Sequence, residues 1–175
     1  HTLPILKNFF GILYYNSFMN YPNLLLDNQL CFALYSATNA ITRYYRFYLK
    51  ELGITYSQYL VLIALWEGNC KNVSDIGKLL KLDLPTITPI LQKLDSKNLI
   101  KKSRSSEDER IVNVELTEKG INLEEEVAAI QDKVACKTGL AKAEFDTLKA
   151  TLNDLTDSME INEADEIDLK LNYCK

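Results

Sequence analysis

Residues 72–97 read NVSDIGKLLKLDLPTITPILQKLDSK, and this stretch predicts two short helices joined by a tight turn. Asn72 suits the cap of a helix over Val73–Leu80, because a short polar side chain there accepts from a backbone N–H that has no helical partner. Lys81-Leu82-Asp83 makes the turn. A second helix follows from about Leu84 to Lys97, and the pair reads as a helix-turn-helix. In the second helix Ile87, Ile90, Leu91 and Leu94 fall at i, i+3, i+4 and i+7 and form a buried face. Thr86, Thr88, Pro89, Gln92 and Lys93 are left on the other side. Their short or flexible stems suit contacts to phosphates and base edges. The same pattern also fits an ordinary solvated face. Pro89 has no N–H, so it lies in the first turn or leaves one carbonyl there without its donor.

Downstream, Leu99–Arg104 and Arg110–Leu116 read as two short strands around the polar tip Ser105–Glu109. A hairpin directly after a helix-turn-helix is the wing of a winged helix. Its tip would carry Arg104 or Arg110 toward the minor groove, whose negative potential attracts arginine. Asp108 is placed to hold an arginine in a bidentate pair. A solvated charged turn is the alternative, with an ion pair worth under about 1 kcal/mol. Thr117 then caps a long helix from Glu118 to about Cys136, and a last helix runs from about Ala141 to Met159. Phe145, Leu148, Leu152, Leu155 and Met159 alternate three and four apart, a seam that packs on another helix. That helix belongs either to this chain's own core or to a second subunit.

Upstream, Thr55-Tyr56-Ser57-Gln58 is a capping box opening a helix that runs through Trp66 and closes near Gly68-Asn69. Before it, Leu30, Leu34, Ile41, Tyr45 and Tyr48 mark one face of a helix from about Leu26 to Tyr48, with Asp27 as its cap and Gly53 after its end. Residues 1–23 read as an N-terminal extension outside the patterned domain, with Met19 a candidate start. Asn8–Tyr15 is apolar but has neither a basic leader nor a small-residue cleavage site, so it mimics a signal peptide.

The 175 residues carry 47% hydrophobic side chains, enough for a packed core. No apolar run reaches the roughly 18 residues needed to span a bilayer, so no membrane association is expected. The net charge of −4 is unevenly spread. Residues 71–111 hold 9 basic and 6 acidic groups, a balance of +3, whereas residues 112–175 hold 7 and 15, a balance of −8. A modest basic segment beside an acidic helical end fits a DNA-reading module attached to something else. The four cysteines, Cys31, Cys70, Cys136 and Cys174, form no Cys-x-x-Cys pair, and the single histidine is His1. That composition argues against a zinc site and against a secreted disulfide framework. Neither a metal nor a cofactor is expected, and a cytoplasmic protein with mostly reduced thiols is the default.

Five motifs stand in one order: Leu26-Asp27-Asn28-Gln29-Leu30-Cys31-Phe32, Ile54-Thr55-Tyr56-Ser57-Gln58-Tyr59-Leu60, Leu65-Trp66-Glu67, Thr86-Ile87-Thr88-Pro89 and Glu107-Asp108-Glu109-Arg110. Together they resemble the organic-hydroperoxide-sensing repressors (OhrR) of the MarR family over about residues 26–160. The first motif separates that subgroup from other MarR-like proteins. The resemblance implies a homodimer that binds a pseudo-palindromic operator in double-stranded DNA and represses a gene for peroxide-destroying enzymes. It makes Cys31 the sensing cysteine, Tyr45 and Tyr56 the tyrosines whose hydroxyls bond to it, and Cys136 the resolving cysteine of a two-cysteine branch. Cys70 and Cys174 match no sensing position.

The chemistry is consistent with that role. Cys31 lies in the first turns of its helix, whose partly positive N-terminus favours a thiolate. Tyrosine O–H donors add to this. The thiolate attacks the peroxide O–O bond and becomes a sulfenic acid. Phe32 and Tyr35 would receive the apolar tail of an organic peroxide. Without the resemblance, Cys31 would read as a small buried apolar residue. Tyr45 follows Cys31 by 14 residues, close to four turns and about 21 Å along one helix. It therefore reaches a sensing thiol only across a two-fold axis, in a site built from two chains.

The fold expected is mainly α with a small β-hairpin, a winged helix-turn-helix plus a helical dimerisation region. The reading head spans about 54–116, with dimerisation helices over about 26–48 and 117–160, all within 24–160, and an acidic tail over 161–175. Two other readings stay open: a MarR-like repressor released by a small aromatic ligand, and a thiol peroxidase using Cys31 and Cys136. The peroxidase ranks last, because no arginine flanks Cys31 and no thioredoxin-like βαβ pattern is present; the protein is expected not to be an enzyme.

Overall fold

The structure is a computed structural model that describes residues 21–68 and 72–159. The expectations for residues 1–20, for Asn69 and Cys70, and for residues 161–175 with Cys174 lie outside the described residues. After two single 3₁₀ turns at Pro22–Leu24 and Leu26–Asn28 come α1 (Leu30–Leu49), α2 (Tyr56–Trp66), α3 (Val73–Leu80) and α4 (Leu84–Ser96). Then follow β1 (Ile100–Arg104), β2 (Val112–Leu116), α5 (Glu118–Asn122), α6 (Glu124–Thr138) and α7 (Lys142–Ser158). The chain divides into two compact units, His1–Ile130 and Gln131–Lys175. The mainly helical fold with one antiparallel hairpin is the one expected.

The first unit is organised around α2, which packs against α1, α3, α4 and β2. Val61, Leu62, Ala64 and Leu65 of α2 are buried, alongside Leu49, Ile76, Ile87, Leu91, Leu94 and Ile100. Each fully buried Leu or Ile contributes about 1.5–3 kcal/mol relative to an exposed one. The periodic face of α4 is realised as Ile87, Leu91 and Leu94, with Ile90 half-buried.

Local signals set the helix ends. The Thr55 hydroxyl accepts from the Gln58 N–H at 3.3 Å while the Gln58 amide oxygen accepts from the Thr55 N–H at 3.1 Å, so the capping box is complete. Asn72 Oδ1 accepts from the Asp75 N–H at 2.9 Å. Between α3 and α4, Lys81 takes the left-handed conformation (φ 52°) and Asp83 caps α4 by accepting from the Thr86 N–H at 2.9 Å. Thr86 holds the Asp83 carboxyl below its ordinary range, since both hydrogen bonds favour the anion.

Two boundaries differ from the sequence expectation. α1 begins at Leu30 with Gln29 at its cap position, and Asp27 sits in the preceding 3₁₀ turn. The Asn28 side chain donates to the Pro22 carbonyl at 2.9 Å and the Gln29 side chain to the Asn23 carbonyl, so the segment folds back on itself before the helix starts. The helix expected over 118–136 is two helices. α5 ends at Asn122, and Glu124, Glu125 and Glu126 occupy the first turn of α6, where the helix dipole favours negative charge.

The hairpin pairs Ile100 with Leu116 through Arg104 with Val112. It is moored at its base by α5. A Cβ on Gly120 would run into the backbone carbonyl of Leu99, so only glycine allows this approach. The Gly120 carbonyl in turn accepts from the Trp66 indole N–H at 3.1 Å.

In the second unit α7 buries no residue. Its cap is an alanine, so only half of a capping box forms: the Glu144 carboxylate accepts from the Ala141 N–H at 2.8 Å. The seam expected along this helix is present as a stripe that is only partly covered: Leu152 and Leu155 are half-buried, while Phe145 is 39% and Leu148 48% exposed, and Met159 just past the helix end is 71% exposed. No helix among the described residues is long and apolar enough to cross a membrane.

Candidate functional site

Cys31 is the second residue of α1, two positions past the cap residue Gln29, and is exposed. The later start of α1 brings it closer to the unpaired N-terminal N–H groups than the sequence suggested. Its thiol donates toward the Gln29 amide oxygen at 3.5 Å. Within this single chain Cys31 is not part of the buried core. Around it Leu30, Phe32 and Tyr35 are also exposed, Phe32 at 38% and Tyr35 at 66%. Cys136 is exposed in the last turn of α6, which closes at Gly139.

The far end of α1 is different. Tyr45 is buried against Tyr56 and Tyr59 of α2, with ring centroids 5.2 and 4.9 Å away, and Tyr56 and Tyr59 lie 5.6 Å apart. The Tyr59 hydroxyl donates to the Tyr45 hydroxyl oxygen at 3.2 Å. Burial, with the neighbouring Tyr45 second, raises the Tyr56 phenol. Burial first, then the bond to Tyr45, pushes Tyr59 far above the ordinary phenol range. All three rings come from two helices of one chain: Tyr56 and Tyr59 share a face at i, i+3, and Tyr45 meets them from α1. Tyr59 is the member that sequence reasoning missed as a site residue. Its spacing from Tyr56 was the available signal.

Thr86, Thr88, Pro89, Gln92 and Lys93 are all exposed on α4. Pro89 falls inside the helix and leaves the exposed Pro85 carbonyl without a helical N–H. The Thr88 hydroxyl donates to the Leu84 carbonyl at 2.7 Å, keeping its oxygen free as an acceptor. On the wing Arg104 ends β1 and is exposed beside the tip. Arg110 instead lines a cleft of about 570 Å³ between the wing, α3 and α4, together with Asn72, Asp75, Thr88 and Lys102. The bidentate Asp108–arginine pair expected from sequence does not form among the described residues. Asp108 Oδ1 accepts from the backbone N–H of Arg110 at 2.9 Å, because a two-residue span closes a local turn more readily than it reaches a guanidinium. Lys102 pairs with Asp95 at 3.5 Å and holds the wing to α4.

Gln58 was visible as a capping residue but not for its second task. Its buried amide oxygen also accepts from the Lys97 ammonium at 2.9 Å, and Lys97 donates to the Gly53 carbonyl as well. The end of α4 is thereby tied to the start of α2. No cluster of three His, Cys, Asp or Glu side chains among the described residues is arranged to hold a metal.

A helix-turn-helix with a moored wing, preceded by a helix bearing an exposed cysteine, defines a winged-helix regulator with a thiol at hand. Comparison with known proteins agrees. The family model for the transcriptional regulator SarA/Rot matches residues 43–127. The organic hydroperoxide resistance transcriptional regulator of Bacillus subtilis (strain 168) is 40% identical over 129 residues, 74% of this chain and 86% of the relative. Two solved structures of AbfR, a protein of Staphylococcus epidermidis, are also similar. The reduced form bound to DNA is 34% identical with a TM-score of 0.67, covering 81% of this chain and 96% of that one. The disulfide-formed AbfR is 36% identical with a TM-score of 0.55, covering 75% and 92%. This chain belongs to the MarR family of winged-helix transcriptional regulators and is a relative of the organic hydroperoxide resistance regulators.

Proposed function

We propose that this regulator is a homodimeric DNA-binding repressor that releases its operator when an organic hydroperoxide oxidises Cys31. The observation that carries the reading is the placement of an exposed Cys31 at the N-terminal turn of α1. The thiolate attacks the outer peroxide oxygen, the O–O bond breaks, and sulfur keeps that oxygen and its proton as sulfenic acid. The alkoxide leaves and takes a proton from water. Cys136 of the partner subunit then displaces water from the sulfenic acid, giving an intersubunit disulfide. Bridging brings Cα atoms within about 7 Å, and the accompanying movement alters the spacing of two reading heads matched to half-sites about 34 Å apart.

In this reading Phe32 and Tyr35 receive the peroxide's tail, and Tyr45 and Tyr56 donate hydrogen bonds to the partner subunit's thiolate. Thr86, Thr88, Pro89, Gln92 and Lys93 face the major groove. Arg104 serves the minor groove, and Arg110, held by the turn at Asp108, supports the wing. The open stripe of α7 and the exposed apolar residues of α1 are what a dimer would cover. Dimer formation and reach across the two-fold axis rest on the spacing of Cys31 and Tyr45 together with the family resemblance.

The deciding experiment is a DNA-binding assay with and without cumene hydroperoxide on wild type and Cys31→Ser. Peroxide should release the wild type and leave the variant bound, and release of Cys31→Ser would refute the sensing role. Non-reducing electrophoresis should show a covalent dimer of about twice 20.0 kDa that is absent in Cys31→Ser and in Cys136→Ser. The cleft between wing, α3 and α4 favours a second reading, in which a small aromatic ligand drives release. Its apolar walls, Val73, Leu84, Leu91, Ile111 and Val112, surround Arg110 and Lys102. Release by such a ligand with no change in thiol count would select that reading.

A further inference from the structure

We propose that Tyr59 is a positioning residue that sets the direction of the Tyr45 hydroxyl, so that the Tyr45 proton points outward for donation to the sensing thiolate. The proposal rests on the peroxide-sensing reading above but concerns a residue that reading leaves unused. A tyrosine hydroxyl has one proton and two acceptor sites. Tyr59 is 4% exposed, and among the described residues the one hydrogen bond of its hydroxyl is to the Tyr45 oxygen, at 3.2 Å. Either direction leaves one phenol proton to be satisfied; were Tyr45 the donor, that proton would be on Tyr59, the more deeply buried of the two at 4% against 8% exposed, at a cost comparable to a lost hydrogen bond. The less costly arrangement runs from Tyr59 to Tyr45 and leaves the Tyr45 proton for a third group.

Geometry restricts where that proton can go. The rings of Tyr56 and Tyr59 lie 5.2 and 4.9 Å from that of Tyr45 and enclose it from α2. An oxygen that accepts one hydrogen bond becomes a stronger donor in the next, because the bonds polarise one another. Tyr59 also stays protonated wherever a cysteine thiol ionises, since burial and its bond to Tyr45 hold its phenol far above that range. Tyr59 thus supplies a fixed proton-bearing partner behind Tyr45.

The test is Tyr59→Phe, which removes one oxygen and leaves the ring. In the full chain with Cys70, Cys136 and Cys174 changed to serine, the rate of Cys31 alkylation by iodoacetamide is followed against pH. A lost supporting bond should lower the rate at neutral pH by about three- to tenfold and move the profile to higher pH. Oxidation of Cys31 by cumene hydroperoxide should slow by a similar factor, while DNA affinity of the reduced protein stays unchanged. In a Tyr45→Phe background the same substitution should have no further effect, because Tyr59 acts through Tyr45. Alkylation at the wild-type rate and profile, or an equal effect with and without the Tyr45 hydroxyl, would overturn the proposal. If peroxide failed to release wild-type protein from DNA, the sensing reading would fall, and the alkylation profile would still decide what Tyr59 does for Tyr45.

Discussion

α2 and α7 both carry leucines, but α2 is apolar nearly all round and sits in the core, whereas α7 carries its apolar residues as one stripe. α2 buries Gln58, Tyr59, Val61, Leu62, Ala64 and Leu65 within the chain. α7 buries nothing and leaves Phe145 and Leu148 open. The helix-turn-helix and wing therefore form a finished core, whereas α7 carries an apolar stripe whose counterpart is not found among the described residues. An apolar seam is a statement about having a neighbour, and the two helices show that pattern alone does not say which chain provides it.

The largest expected effect separates these two helices. Leu62→Ala should cost about 2–5 kcal/mol of stability, because the core around a fully buried leucine relaxes only partly. Leu148→Ala should cost far less in a dilute sample and act on the concentration dependence of melting instead. Thermal denaturation at two protein concentrations distinguishes the outcomes, and equal losses in both variants would break the comparison.

Gly120→Ala sharpens it from inside the reading head. The added methyl meets the Leu99 carbonyl and should cost about 1–3 kcal/mol, with a matching fall in the denaturation midpoint. Loss of the Trp66 indole bond to Gly120 should accompany it as a change in tryptophan fluorescence. Next, Leu148→Asp should weaken self-association about tenfold or more, read by analytical ultracentrifugation, if that stripe is covered by a second chain. Thr55→Ala removes half of the capping box and should cost about 1 kcal/mol by urea denaturation.

The smallest effect is one of pH. The Tyr56 and Tyr59 phenols are raised in the fold above their unfolded value of about 10. A raised group contributes stability that is fully present below the unfolded value and is lost as pH rises beyond it. Stability should therefore hold from neutral pH to about 10 and decline above it, less steeply in Tyr59→Phe, as read by denaturant midpoints across that range. A decline that begins near neutrality would have another source.

Much of the fold was legible because its signals are local. The Thr55–Gln58 box, the Asn72 cap, the face of Ile87, Leu91 and Leu94 and the hairpin all follow from residues within a few positions of each other. The misses have tertiary or competing local causes. The start of α1 moved because the Asn28 and Gln29 side chains bond backward to Pro22 and Asn23, and α5 ended at Asn122 where three glutamates open a new helix. Asp108 chose a backbone N–H two residues away over a guanidinium. Of the candidate site, the exposed positions of α4 could be read from periodicity, but the split between Arg104 at the tip and Arg110 in the cleft depended on how the hairpin lies against α3 and α4.

The sequence by itself determined the order of helices and strands, the faces they bury and the motifs that mark Cys31, because periodicity, caps and turns are properties of neighbouring residues. The tertiary structure decided what no such spacing contains. It brought Tyr45 of one helix against Tyr56 and Tyr59 of the next, and it joined Lys97 to Gln58 across 39 positions. Contacts between residues distant in the chain depend on how packed faces meet, and that is settled only when all the faces compete for the same core.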